Sequence, residues 1–302
     1  MNDVTQQESG DYPAGISPAD LVGGAVRLVS LPEVCLRVNE MVEEPDTSAG
    51  ELGKVISQDA SLTARLLKIV NSSFYGFPSR IETVSRAVTV IGLRELRGLV
   101  LAASAVETFS RIPTDLLNMV HFWRHSVYCA VVAQLLAEEC HVLHSERLFV
   151  AGLLHDIGKL VMYNRLPEQS RAAIDLAAEK PCGDFEAEQR LLGFDHARIG
   201  AELLSVWQMP ESLCAAVDYH HRPGEAPAHL IEACIVHVAN SITGMAEQGL
   251  DSSSDVYVQP IDPLAWQTLS LDESIIDPLC HRAGPLFSDA LEVILPRGFR
   301  SR

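Results

Sequence analysis

Gly152-Leu153-Leu154-His155-Asp156-Ile157-Gly158-Lys159-Leu160 is the stretch on which the reading of this chain turns. It follows Leu148, Phe149, Val150 and Ala151 and runs on into Val161 and Met162. The surroundings therefore have the pattern of a buried helix, expected over Glu146–Tyr163. An adjacent His-Asp pair is costly to desolvate there unless a partner compensates, and a metal ion is the usual one. Taken alone, such a pair is more often a core histidine hydrogen-bonded to its neighbour. Gly158 lets another backbone approach closely or lets the helix bend. The other histidines shift the balance.

Of the eleven histidines, a subset falls at helix starts and ends. His125 sits near the start of an apolar helix, in Phe122-Trp123-Arg124-His125-Ser126. His196 heads a helix after Gly193-Phe194-Asp195, and His220 and His221 end the helix that begins at Glu211. His237 and Asn240 lie one turn apart on a later helix. Separate helices that each deliver an imidazole or carboxylate to one bundle interior are how helical proteins build metal and phosphate sites. His121, His141, His144, His229 and His281 read as surface or loop residues.

Composition narrows the function classes. The chain has 302 residues, enough for a sizeable core, with 23 basic against 40 acidic residues and a net charge of −17. That balance argues against a general nucleic-acid or anionic-membrane binder, which needs a concentrated positive surface. The seven cysteines are odd in number and form no Cys-x-x-Cys, so they read as reduced thiols in a cytoplasmic protein. Met1–Asp11 is polar and acidic and is expected to carry no signal peptide. The apolar run near Leu99–Val106 is too short to span a bilayer.

Helical spacing dominates the whole chain. Residues 1–16 read as a disordered tail. Residues 17–112 read as an N-terminal subdomain of short helices. Ser17, Ser48 (in a capping box with Glu51), Asp59 and Thr83 are their caps, and Gly92 is a stop. Asn71-Ser72-Ser73 reads as a helix stop in which side chains take up freed carbonyls. Arg94 and Arg97 after Gly92 faintly suggest a helix-turn-helix, a reading the net charge opposes. Pro113 marks a boundary, and residues 113–250 read as a second helical subdomain. Its helices are expected over Leu116–Cys140, Glu146–Tyr163, Phe185–Leu192, His196–Trp207, Glu211–His220 and Leu230–Met245. Residues 251–302 read as a linker, Asp251–Asp255, and a C-terminal helical extension interrupted at Pro278 and Pro285. The expected fold class is all-α.

The order His125, His155-Asp156, His196, His220-His221 and Ala239-Asn240 resembles the HD superfamily of metal-dependent phosphohydrolases. Together with Ile56-Ser57-Gln58-Asp59-Ala60-Ser61-Leu62-Thr63-Ala64-Arg65-Leu66-Leu67 and Val70-Asn71-Ser72-Ser73, it most resembles the HDOD (HD-related output domain) family. The resemblance runs from about Ala25 to Ala246. It implies an N-terminal helical subdomain packed on an HD-like bundle, and a bacterial signalling or regulatory module without established catalytic activity. It also implies metal-ligand positions at His125, His155, Asp156, His196, His220 and His221, with Lys159 and Asn240 as additional site residues. Two positions depart from the related phosphodiesterases. Asn240 stands where the HD pattern closes on Asp, and Arg222-Pro223-Gly224-Glu225 stands where they carry Gly-Tyr-Pro.

The six expected ligands carry one negative charge among them, which favours one divalent cation over two unless further carboxylates join. Imidazole-rich donors suit iron, zinc, nickel or manganese. The expectation is thus a regulatory output module that binds signalling proteins, with a degenerate metal site. A metal-dependent phosphohydrolase, with Lys159 contacting phosphate, is the alternative. No membrane partner is expected, nucleic acid is disfavoured by charge, and a homodimer is left open.

Overall fold

The computed structural model describes residues 16–26, 32–72, 75–110, 115–180, 182–250 and 257–295. Among the described residues the fold is all-α, with no strand. The expected linker, the Pro113 boundary and all of the expected tail except its last residue lie outside them.

The N-terminal helices are α1 (Pro18–Val26), α2 (Glu33–Glu43), α3 (Ala49–Ile56), α4 (Ala60–Val70), α5 (Val84–Ile91) and α6 (Leu93–Phe109). Their starts are set by the expected caps. The Ser48–Glu51 capping box closes on α3, Asp59 Oδ1 accepts the Leu62 N–H, and Thr83 Oγ1 accepts that of Arg86. Gly92 joins α5 to α6 at φ +105°, a backbone that side chains resist. Asn71 donates to the Leu67 and Ile81 carbonyls and accepts from the Ile81 N–H, while Ser72 donates to the Ile69 carbonyl. Asn71 and Ser72 thus form the expected helix stop, and Ser73 lies outside the described residues. Arg97 is buried and paired with Glu43 at 2.6 Å, so it holds α6 to α2 rather than reaching for phosphate.

The central helices are α7 (Met119–Glu139), α8 (Glu146–Leu154), α9 (Ile157–Arg165), α10 (Pro167–Glu179), α11 (Asp184–Leu192), α12 (His196–Val206), α13 (Glu211–Asp218) and α14 (Leu230–Leu250). From Phe122 to Ala137, α7 is buried over most of its circumference, and it packs on α8 and α14. The single helix expected over Glu146–Tyr163 is two. The chain leaves helical geometry at Asp156 (φ −97°, ψ 5°), because its two halves dock on different neighbours. At Gly152, α8 lies so close to α7 that an added Cβ would sit 2.7 Å from the Ala130 Cα. At Gly158, α9 lies against α12, and an added Cβ would meet the His196 carbonyl and lie 2.7 Å from the Gly200 nitrogen. The glycines on either side of the His-Asp pair are the points where the backbones touch. Helix α10 is absent from the sequence reading. Only Ser170 and Ala173 in it are buried, so its apolar stripe is too thin to stand out.

The C-terminal helices are α15 (Pro263–Leu269), capped by Asp262, and α16 (Ile276–Ile294). Neither expected interruption breaks α16. Pro278 lies in the first turn, where no N–H bond is lost, and Pro285 sits inside a helix that continues past it. Helix α16 packs on α7 and α4, with Ile294 buried and Leu286 and Leu291 against the core. One continuous apolar cluster runs from Leu21 to Leu295. Among the described residues no helix is long and apolar enough to cross a membrane.

The glycine contacts set a test. Gly158→Ala forces apart two backbones, which cannot yield as a flexible side chain would, and is expected to cost at least ~1–3 kcal/mol. Gly23→Ala, where an added Cβ meets nothing within 4 Å, is expected to be neutral or mildly stabilising. Urea unfolding midpoints of the two variants check the contrast.

Candidate metal centre

The break between α8 and α9 places His155 and Asp156 at the middle of the bundle. His125 reaches them from α7, His196 from the first residue of α12, and His220 and His221 from the turn after α13. All six expected ligands meet in one place. The donor atoms of Asp156, His196, His220 and His221 lie within 4.8 Å of one another, and so do those of His125, His155 and Asp156. Asp156 belongs to both groups. Its Oδ1 lies 3.0 Å from His196 Nε2, 3.5 Å from His155 Nε2 and 3.8 Å from His220 Nε2. Its Oδ2 takes the Lys159 ammonium at 2.9 Å.

The hydrogen bonds decide which nitrogen of each ring carries a lone pair. A carbonyl or carboxylate oxygen can only accept, so the nitrogen facing it must be N–H. His155 Nδ1 donates to the Gly152 carbonyl and His220 Nδ1 to the Val217 carbonyl. His196 Nδ1 donates to Glu188 at 2.6 Å, and His221 Nδ1 donates to Gln259 Oε1 at 2.6 Å. His155, His220 and His221 each turn a bare Nε2 toward the Asp156 side of the cluster, whereas His196, favoured in its protonated form by Glu188 and Asp156, presents a lone pair there only when a cation displaces its Nε2 proton. His155 Nε2, His220 Nε2 and Asp156 Oδ1 are buried with no hydrogen-bond partner. Three such orphans are expensive in a protein interior, and a cation beside Asp156 Oδ1 satisfies that oxygen together with the imidazole nitrogens of whichever donor group it occupies. The donor set thus fits a divalent metal ion, which would supply Lewis acidity at this point.

Electrostatics agree with that fit. Burial pushes His155 down to about 4 and holds His220 and His221 well below the usual imidazole range, which is the neutral, ligating form. Burial also works against the Asp156 anion, but His155, Lys159 and His196 outweigh it and hold the carboxylate ionised. At His196 burial is again outweighed, here by Glu188 and Asp156, which lift the ring to about 10.

His125 is different. Its Nδ1 donates to Glu247 at 3.0 Å, and its Nε2 lies 3.0 Å from Asn240 Oδ1. An imidazolium donates to that oxygen, and a neutral ring would accept from the amide NH2 turned the other way. In both cases Asn240 engages the nitrogen that a metal would need. His237 is structural, since Nδ1 donates to the His220 carbonyl and Nε2 accepts the Asp262 N–H.

Two carboxylates and one amide at the site were not singled out by the sequence reading. Glu188 and Glu247 back His196 and His125, so Asp156 is not the only anion at the centre. Glu247 stands seven residues after Asn240, on the same face of α14, a spacing that could have found it. Glu188 is one of several acids on α11, and Gln259 is a lone polar residue in an extended segment; neither carries a spacing signal. Lys159, expected to meet phosphate, is held between Asp156 and Asp184 (3.5 Å) and lines a cleft of about 440 Å³ that opens onto the ligands. Aliphatic and aromatic side chains, among them Phe122, Ile174 and Val258, wall the cleft.

The HDOD domain profile matches residues 28–223. The chain belongs to the HDOD family. An HDOD domain protein of unknown function from Geobacter sulfurreducens superposes with a TM-score of 0.70 at 25% identity, over 92% of this chain and 99% of that one. A candidate phosphohydrolase from Shewanella amazonensis SB2B has the same fold, with a TM-score of 0.69 at 24% identity over 90% and 96% of the two chains. An uncharacterized protein of Treponema pallidum (strain Nichols) is 27% identical over 198 residues. That match takes in 65% of this chain and 38% of the relative's length. Asn240, Glu247 and Gln259 all lie beyond the residues the HDOD profile matches.

The buried neutral imidazoles give the metal-free protein an acid-sensitive centre. Folded pKa values below the unfolded ~6.5 mean that their contribution to stability is complete above pH ~6.5. It is lost as pH falls toward about 4, the value for His155. His196, lifted in the folded state, is protonated in both states across most of that window and adds little slope there. Thermal melts of chelator-treated protein between pH 7 and 4 are expected to show a falling midpoint, and a flat profile contradicts the depressed protonation of His155, His220 and His221.

Proposed function

We propose that this HDOD protein is a cytoplasmic regulatory output module, one that recognises signalling proteins and holds a single divalent transition metal, iron, zinc, nickel or manganese, beneath its cleft. The observation that carries this reading is the inequality of the two donor groups. Asp156, His196, His220 and His221 form a four-donor set with every ring oriented by a hydrogen bond. The other set has His125 committed to Glu247 and Asn240, and Asn240 offers no charge.

Charge supports one ion as well. Asp156, Glu188 and Glu247 bring three negative charges and Lys159 one positive; with the exposed, solvent-screened Asp184 left out, a single divalent cation leaves the buried centre neutral and two leave it at +2. A two-metal hydrolase needs both positions filled to clamp the attacking and leaving oxygens. With one position compromised, the cleft is better suited to binding than to turnover. The protein's acidic surface, at −17 overall, suits a protein partner rather than a polyanion.

A second reading, a phosphohydrolase working with one metal, draws on the cleft itself. It opens onto the ligands and is lined by a half-buried ammonium, that of Lys159. Elemental analysis and an assay of a generic phosphodiester with added manganese separate the two. The expected result is about one metal per chain and no turnover. Asp156→Ala, which removes the residue common to both groups, is expected to abolish metal retention, a larger loss than any single histidine gives. Asn240→Asp is expected to free His125 and raise the stoichiometry toward two. Wild-type turnover that disappears in Asp156→Ala would replace the regulatory reading with the hydrolytic one.

A further inference from the structure

The residues beyond the HDOD match complete the metal centre, and one of them does so through a ligand. After the last contact of α14 with the site, the chain returns as an extended segment, 257–262, that crosses the centre. Val258 packs on Gly244 of α14, where an added Cβ would lie 3.5 Å from its methyls. The Asp262 N–H bonds to His237 Nε2 at 2.9 Å, and the Asp262 carboxylate then caps α15. Between these anchors Gln259 meets His221 twice. Its Nε2 donates to the His221 carbonyl at 2.8 Å and its Oε1 accepts the His221 Nδ1–H at 2.6 Å.

These two bonds form a chain of necessity. A backbone carbonyl can only accept, so the amide nitrogen of Gln259 must face it. That orientation turns Oε1 to the ring. An amide oxygen can also only accept, so Nδ1 must be the protonated nitrogen. Nε2, 3.0 Å from His196 Nε2 and directed at the four-donor group, is then the one with the lone pair. The stacked Phe185 ring, 4.1 Å between centroids, fixes the plane of the imidazole but cannot choose its tautomer. Apart from His125, which Glu247 backs from α14, the other histidine ligands are oriented locally. His155 and His220 use carbonyls three residues back, and His196 uses a carboxylate eight residues back. We propose that Gln259 is a positioning residue that sets the tautomer and orientation of His221, so that the segment beyond the HDOD match governs how tightly the centre holds its metal. The inference rests on the metal-binding reading above and adds to it a contact between the site and the segment that leads into α15, which begins four residues after Gln259.

Gln259→Ala removes the acceptor and leaves the ring free to carry its proton on Nε2. The probe is Co2+ added to chelator-treated full-length protein, read by titration and by the visible d–d bands. Gln259→Ala is expected to weaken Co2+ binding about 10–100-fold and to change the band pattern. Gln259→Glu restores an acceptor and is expected to return affinity to within a few-fold of wild type. Ile261→Ala, on the same segment but with a side chain that packs against the core and offers His221 no hydrogen bond, is expected to lower the melting temperature without altering the bands. Nitrogen-detected NMR of the metal-free protein gives the second arm, with the His221 tautomer Nδ1–H in wild type and shifted toward Nε2–H in Gln259→Ala. Equal Co2+ affinity and bands in wild type and Gln259→Ala, or an equal effect of Ile261→Ala, overturns the proposal. If wild type takes up no Co2+, the metal reading fails, and an unchanged tautomer in Gln259→Ala is then what overturns the positioning role.

Discussion

Asp156 is a carboxylate buried in a helix bundle, and the rest of the centre is arranged around the cost of desolvating it. Its outer oxygen is neutralised by Lys159 at 2.9 Å, one turn along α9, while its inner oxygen has no hydrogen-bond partner and faces three imidazole nitrogens. Desolvating an anion in this way is tolerable only where cations or strong donors surround it. The break between α8 and α9 makes the placement geometrically feasible. Were the helix continuous, as the apolar run suggests, the His-Asp pair would project from one smooth cylinder and could not be reached from α7, α12 and α13 together.

That break depends on backbone contact rather than on a helix-breaking residue. No proline interrupts Glu146–Arg165. Instead Gly152 lets α8 lie against α7, and Gly158 lets α9 lie against α12 at the His196 carbonyl. The second contact has a chemical result, because the α12 backbone that Gly158 admits is the one carrying His196. The same glycine that permits the packing therefore sets the separation between Asp156 and one of its partners.

How much of this was legible in the sequence divides along physical lines. Helix caps are local, so Ser48, Asp59 and Thr83 could be read directly, and Asn71 could be read as a stop. The convergence of six side chains was legible only through resemblance, since nothing in the spacing of His125, His196 and His221 fixes a three-dimensional meeting point. The break at Asp156 and the continuity of α16 through Pro285 are decided by tertiary packing, which overrides local propensity. Glu188 and Gln259 were invisible for a different reason. A residue that orients a ligand needs only one hydrogen bond to the far side of a ring, and any acceptor on any nearby element can supply it.

Such distant acceptors are what make the two halves of the centre unequal. His237 shows the limiting case: with both nitrogens committed, to the His220 carbonyl and the Asp262 N–H, an imidazole in the midst of a metal-like cluster becomes a structural strut. His221 has Nδ1 committed to Gln259 while its Nε2, 3.0 Å from His196 Nε2, is directed into the four-donor group, which is the position of a ligand. His125 lies between the two, with Glu247 on one side and the Asn240 amide on the other. An aspartate at 240 would be a charged metal ligand in its own right, and a cation between it and His125 Nε2 would satisfy both. A neutral amide instead completes the hydrogen bonding of His125 within the protein, so His125 itself does not call for an ion, while His155 Nε2 beside it keeps no partner. One atom's difference between an amide and a carboxylate thus decides whether the outer donor group is a second metal position or a part of the wall around the first.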